Sequence, residues 1–338
     1  QAGGRSFDEG KGITALADGS SIITGRFQGT ASFGDTILEA AGDYDVFIAK
    51  LRSDGTFEWA NGFGSSSHDV GADVVSLEDG GALVSGYFHR TVDIGGTTLT
   101  SLGNQDIYIA KVNSDGSYAW VTQAGGSTHD FSGGIGSFSD GSSIVTGSFS
   151  GTATFGDFSL TSQGQSDIYV AKLDDLGNFL WVQQAGGAEA DGGSRLITHS
   201  DGSATIVGNF KGTADFGNYK LTSSGDGDVD GFVAVIDTDG NWVSALSTGE
   251  SAYHDLSSDS PSSSAPVFQS ATTSTDGSKI ILIYDQQLSA EAISTGHFAV
   301  HVNGSLVDNI VSSVAVVDGT NVELALSSPI GLGDTVTL

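Results

Sequence analysis

The feature that most constrains this chain is internal: it repeats itself every 61 residues. Asp8, Asp69, Asp130 and Asp191 keep that step, as do Asp18, Asp79, Asp140 and Asp201. So do Gly25, Gly86, Gly147 and Gly208, and Phe27, Phe88, Phe149 and Phe210. The turn glycines Gly55, Gly116, Gly177 and Gly240 step by 61, 61 and then 63 residues, which puts a two-residue insertion near 226–231. A repeat of this length is one supersecondary unit that cannot bury its apolar faces alone, so neighbours must stack on it.

Within the first unit, 12–17 runs through Asp18-Gly19 into 21–27. Asp-Gly between two alternating apolar runs predicts a hairpin. Residues 30–38 read as a short strand or hairpin around Phe33-Gly34, and 46–51 crosses Ser53-Asp54-Gly55 into 57–60, which makes four or five strands per unit. With 50 Gly and only 3 Pro, the composition also asks for many short strands joined by glycine turns and for little helix. The expected fold class is therefore all-β, a β-propeller-like array of 61-residue four-stranded units followed by a small β-sandwich.

The array is expected over 1–256, with units near 1–62, 63–123, 124–184 and 185–247 and a vestigial fifth start at 248–255. Propellers have about four to eight blades, so either a small ring closes within this chain or a larger ring has earlier units before Gln1. The stretch 257–265 (SSDSPSSSA) has the composition of a linker. In the last segment, 266–338, the runs 279–284, 298–302, 311–317 and 322–326 read as strands, with turns at Asp276-Gly277, Asn303-Gly304 and Asp318-Gly319.

The residues carry two resemblances. Residues 181–187 (WVQQAGG), Asp201-Gly202-Ser203, 147–156 (GSFSGTATFG) and 166–173 (SDIYVAKL) resemble the SBBP-type β-propeller repeats found in tandem in large bacterial secreted and surface proteins. That resemblance covers 1 to about 256 and implies a fold and a location, not a reaction. From Ala265-Pro266 through 281–285 (ILIYD) to 333–338 (GDTVTL), the chain resembles immunoglobulin-like repeats of bacterial surface proteins, including cyanobacterial ones associated with swimming. In such repeats the strand beginning at Thr335 continues past Leu338, so the sandwich is expected to be incomplete, with a β-edge open to pairing.

The charge excludes whole classes of partner. Twelve Lys and Arg against 41 Asp and Glu leave a net charge of -29, which repels nucleic acid and anionic membranes. No apolar run of about 18 residues offers a spanning segment. Zero Cys rules out thiolate chemistry and cysteine zinc sites.

Candidate sites are few. Asp226, Asp228 and Asp230 have the D-x-D-x-D-G spacing of a calcium loop, with Asp237 at its twelfth position, so calcium is the expected ion. Asp230 also matches the strand-entry residues Asp45, Asp106 and Asp167. The repeated Asp8, Asp69, Asp130, Asp191 and Asp255 form either a ring of cation ligands or, more simply, acceptors for turn amides. His68, His129 and His254 precede three of them, a fragment of a triad that Phe7 and Ala190 break in the other units. Trp59, Trp120 and Trp181 are expected to pack between units, with sugar stacking as the alternative.

These features predict an extracellular, non-catalytic surface protein acting in adhesion or assembly, with other copies of itself, cell-surface components or glycans as partners. A lectin-like propeller is the second expectation and a secreted hydrolase the third.

Overall fold

The structure, a computed structural model, describes residues 2–225, 227–250, 268–273, 278–284, 301–302, 305–306, 311–316, 321–326 and 336–337. The chain forms two bodies, Gln1–His254 and Asp255–Leu338.

In the first body each unit has six strands. After a lead strand β1 (Ala2–Gly4), the first unit runs β2 (Glu9–Ala15), β3 (Ser21–Phe27), β4 (Thr30–Phe33), β5 (Thr36–Glu39), β6 (Asp45–Leu51) and β7 (Phe57–Phe63). The second unit repeats this as β8 (Val70–Ser76), β9 (Ala82–Phe88), β10 (Thr91–Ile94), β11 (Thr97–Thr100), β12 (Asp106–Val112) and β13 (Tyr118–Gly126). The third has β14 (Asp130–Ser137), β15 (Ser143–Phe149), β16 (Thr152–Phe155), β17 (Phe158–Thr161), β18 (Asp167–Leu173) and β19 (Phe179–Gly187). The fourth has β20 (Gly192–Thr198), β21 (Ala204–Lys211), β22 (Thr213–Phe216), β23 (Tyr219–Thr222), β24 (Val229–Ile236) and β25 (Trp242–Glu250).

Four long strands of each unit make an antiparallel meander, β2-β3-β6-β7 in the first and β20-β21-β24-β25 in the fourth. The two short strands leave that sheet, because Gly29 and Gly34 (φ +66° and +62°) turn the chain out and back. The 30–38 segment is thus a hairpin, and its partner is the preceding unit. The end of β13 pairs with β16 (Ala124↔Phe155, Gly126↔Ala153), and β19 pairs with β22 in the same way. Ala2-Gly3-Gly4 pairs with β4 as the last strand of a unit would. Between the first and second units Phe63 stands where Ala124 stands, and β10–β11 remain a separate ribbon.

The first strands of consecutive units, β2, β8, β14 and β20, pack against one another. A propeller-like stack results, in which the sheets lie face to face. This explains why β6, β12 and β18 each carry a four-residue apolar run buried on both faces between an Asp and a Lys, whereas β4 alternates. The core lies between sheets: Ile22, Val46 and Ile48 of the first unit pack with Val84 and Tyr108 of the second, and Ile107, Ile109 and Leu83 of the second with Val145, Phe155 and Tyr169 of the third. The close approach of inner strands requires glycine. A Cβ at Gly12 would lie 2.9 Å from the Asp73 Cα, and one at Gly134 2.9 Å from the Arg195 Cα. Arg195 sits where the inner strands converge; its guanidinium pairs with Asp73 at 2.9 Å and donates to the carbonyls of Lys11 (3.3 Å) and Gly133 (3.5 Å).

The second body is built from a sheet of β26 (Phe268–Thr273), β27 (Lys279–Tyr284), β31 (Asn321–Leu326) and β30 (Val311–Val316), in that spatial order. A second sheet joins β29 (Ser305–Leu306), β28 (His301–Val302) and β32 (Val336–Thr337), in that spatial order. Ile280 and Leu324, cross-strand partners, are buried, and Lys279 pairs with Glu323 at 2.9 Å. The expected turns at Asp276-Gly277, Asn303-Gly304 and Asp318-Gly319 lie outside the described residues.

Candidate functional site

The joints between units hold the repeated carboxylates. Asp130 opens β14 and accepts the amide of Gly126, four residues back, at 2.7 Å and that of Ser150, at the end of β15, at 3.4 Å. Asp69 does the same with Ser65 (2.5 Å) and His89 (2.7 Å), Asp191 with Gly187 (2.7 Å) and Lys211 (2.9 Å), and Asp8 with Gly4 (2.6 Å) and Gln28 (3.3 Å). Each carboxylate therefore ties the incoming chain to the far end of the unit's second strand. Burial pushes Asp130 and Asp191 up to about 6 despite these amides, and the nearby carboxylates of Asp106 and Asp167 add to the rise. Asp69 is raised by burial as well.

The second carboxylate of each joint is the strand-entry residue. Asp106 accepts the amide of Leu102 (3.1 Å) and the amide side chain of Gln123 (2.7 Å), and Asp167 repeats this with Gln163 (3.1 Å) and Gln184 (2.6 Å). Asp45 accepts from Ala41 and Gly42. At the joint between the third and fourth units the two carboxylates converge on a glycine: a Cβ at Gly186 would lie 2.8 Å from the Asp167 Cγ and 2.9 Å from an Asp191 oxygen. The pairing of Asp106 with Asp130 and of Asp167 with Asp191 escaped sequence reasoning: both series keep the 61-residue step, but a shared period does not say which residues meet.

The imidazoles turn elsewhere. His68 Nε2 lies 3.7 Å from Asp43 Oδ2, and His129 Nε2 lies 3.1 Å from Asn104 Nδ2, while Asp69 and Asp130 face backbone amides. The triad fragment is not assembled in either unit. His254 and Asp255 lie outside the described residues.

The calcium set is divided by the fold. Asp230, the second residue of β24, is buried and accepts from Ser224 N (3.0 Å), Ser224 Oγ (3.0 Å) and Ser247 Oγ (3.3 Å). Asp237 lies past the other end of the same extended strand, roughly 20 Å away at about 3.3 Å per residue, and its carboxylate accepts the amides of Asp239 (3.0 Å) and Asn241 (2.8 Å). The two cannot bind one ion, so the twelfth-position role of Asp237 is corrected by the strand that separates them. Asp228 is exposed over Gly225, and Asp226 lies outside the described residues. Among the described residues no group of three or more His, Cys, Asp or Glu converges as a metal site.

The tryptophans bridge units on the opposite edge from the joints. The indole N–H of Trp59 donates to Ser114 O (3.0 Å), that of Trp120 to Asp175 O (2.9 Å) and that of Trp181 to Thr238 O (3.1 Å). Each ring covers the glycine of the next unit's turn, namely Gly116, Gly177 and Gly240, and each remains half-buried. Opposite each Trp in strand register stands a lysine, Lys50, Lys111 or Lys172. Between the second and third units this edge opens into a cavity of about 380 Å³, with Trp120, Leu83 and Phe138 in its wall and Glu78, Asp79 and Lys111 at its mouth. A second cavity, about 460 Å³, lies between the first and second units and shares the 76–79 turn.

Comparison with known proteins places the C-terminal body first. Residues 261–338 match the SWM repeat, described as a "Putative flagellar system-associated repeat". Over 200 residues the chain is 25% identical to an uncharacterized WD repeat-containing protein of Acanthamoeba polyphaga mimivirus; the match takes in 49% of this chain and only 14% of that protein. Among solved structures, a protein of unknown function from Bacteroides caccae aligns with a TM-score of 0.34 and 11% identity, covering 72% of this chain and 83% of that one. The Dos1 propeller aligns with a TM-score of 0.26 and 8% identity over 98% of this chain and 95% of its own.

Proposed function

We propose that this chain is a non-catalytic component of a bacterial cell surface, secreted or exposed outside the cell, where it serves adhesion or assembly. The observation that carries the reading is the use of the repeated polar residues: Asp8, Asp69, Asp130 and Asp191 tie the incoming chain to each unit, and the strand-entry Asp45, Asp106 and Asp167 are engaged by amides of their own unit. A body whose recurrent chemistry is structural suits a rigid display surface, and the swimming-associated repeat at 261–338 supports a place among surface or motility structures. The net charge of -29 favours partners that are neutral or basic, including other proteins of the surface layer. An antibody against the chain should label intact cells of the source organism; labelling only after the envelope is opened overturns the proposal. A panel of ester, peptide and glycoside substrates tests the hydrolase alternative, and turnover of any of them that survives repurification would replace this reading.

Calcium enters as a stabiliser through the Asp226 and Asp228 pair of the insertion. A rise in melting temperature in millimolar calcium over a chelator supports it, and coincident melts remove it.

A second reading, glycan capture, is favoured by one observation: a half-exposed tryptophan beside carboxylates in a cavity between units.

A further inference from the structure

We propose that the cavity between the second and third units is a carbohydrate subsite that takes a neutral or amino-bearing pyranose from a longer glycan. This inference rests on the glycan-capture reading and gives it a place and a sugar class.

The cavity, about 380 Å³, falls within the size of small-ligand sites and is large enough for one or two sugar rings. Its lining sets an apolar patch, from Trp120, Phe138, Leu77 and Leu83, among the hydroxyls of Ser76 and Ser137. The C–H face of a pyranose is the kind of surface that stacks on such a wall. Trp120 is pre-oriented for this, since its N–H is already bound to Asp175 O and its ring lies over Gly177, so binding would order no new rotamer there.

The mouth supplies groups that match hydroxyls. Glu78 is exposed, Ser139 is exposed, and Lys111 reaches within 3.9 Å of Asp79. Acceptors and a donor thus face the same opening, the combination that fixes a polyol's orientation. Phe138 is itself placed by the Lys172 ammonium, 4.8 Å from its ring centroid.

The field sets the class of sugar. Glu78 and Asp79 at the mouth, within a chain of net charge -29, disfavour uronic and sialic acids and favour neutral or amino sugars. The neighbouring cavity of about 460 Å³ lies across the same 76–79 turn, so a glycan of several residues can engage both sides of Glu78 and Asp79.

The experiment is a printed array of neutral, amino-bearing and acidic glycans probed with the full chain, followed by titration of the best ligand into three variants. Trp181→Ala removes a tryptophan of equal structural role that does not line this cavity, and is the control. Trp120→Ala should weaken binding about tenfold or more relative to that control. Glu78→Ala, at an exposed position, should weaken it severalfold with the melting temperature unchanged, which keeps the test valid should Trp120→Ala fail to fold. Equal binding by Glu78→Ala, and by Trp120→Ala relative to Trp181→Ala, overturns the site while leaving glycan capture in place. No binding anywhere on the array overturns both, and binding confined to acidic glycans overturns the sugar class.

Discussion

At the scale of single residues, the buried carboxylates of the joints make stability depend on pH in an unusual direction. Asp130 and Asp191 have folded values near 6, above the ordinary carboxylate value, because burial penalises the charge more than the amides relieve it. The folded state therefore binds these protons more tightly than the unfolded chain. Their contribution is full at low pH and is lost as pH rises through about 6. The turn residues Asp18, Asp54, Asp115, Asp140 and Asp201 run the other way. Side-chain and backbone bonds hold them below the usual range, so their contribution is lost only when pH falls into the ordinary carboxylate range and below. The melting temperature at constant ionic strength should accordingly be higher at pH 5 than at pH 7.5. Relief of the overall negative charge acts in the same sense, so the decisive measurement is Asp191→Asn. It should flatten the rise by about 1 kcal/mol at most, and an unchanged slope would show that the joints do not titrate.

At the scale of elements, the glycines of the repeat differ in what they protect. Gly186 has φ +143° and faces the two carboxylates of its joint, so Gly186→Ala should cost about 2–4 kcal/mol in urea unfolding. Gly55 has φ +83° with nothing within 4 Å of an added Cβ, so Gly55→Ala should cost only about 1 kcal/mol of backbone strain. The tryptophan bridges act between elements of different units. Trp59→Ala removes the bond to Ser114 O and the cover over Gly116. Amide exchange should quicken first in β6 and β7, before the third and fourth units respond. Uniform quickening across all four units would mean that the array unfolds as one and that the bridge has no local role. Much of this was legible in the sequence: the 61-residue step in Asp-Gly turns and in Trp placed both the hairpins and the inter-unit aromatic. The six-strand count was not. The 30–38 hairpin finds its partner in the preceding unit, and pairing between units leaves no periodic signal inside one.

At the scale of the whole first body, Arg195 links the fourth unit to the first three, through Lys11 O, Asp73 and Gly133 O. Its side chain is half-exposed, so Arg195→Ala should lower global stability by less than about 1 kcal/mol. It should nonetheless raise proteolytic nicking of the first unit, read by mass of the fragments; an unchanged fragment pattern would show that the first unit is held by β8 alone. By itself the sequence determined the repeat, the all-β class and the Asp-Gly turns of the repeated units, because each follows from local spacing and from which residues tolerate a turn. Tertiary structure alone decided that the repeated carboxylates meet in pairs at the joints and that Asp230 and Asp237 stand at opposite ends of one strand. It also decided that Trp120 and Lys111 border a cavity with Phe138 of the next unit. Those outcomes depend on which faces of different units come together, a matter of packing across tens of residues that no local pattern encodes.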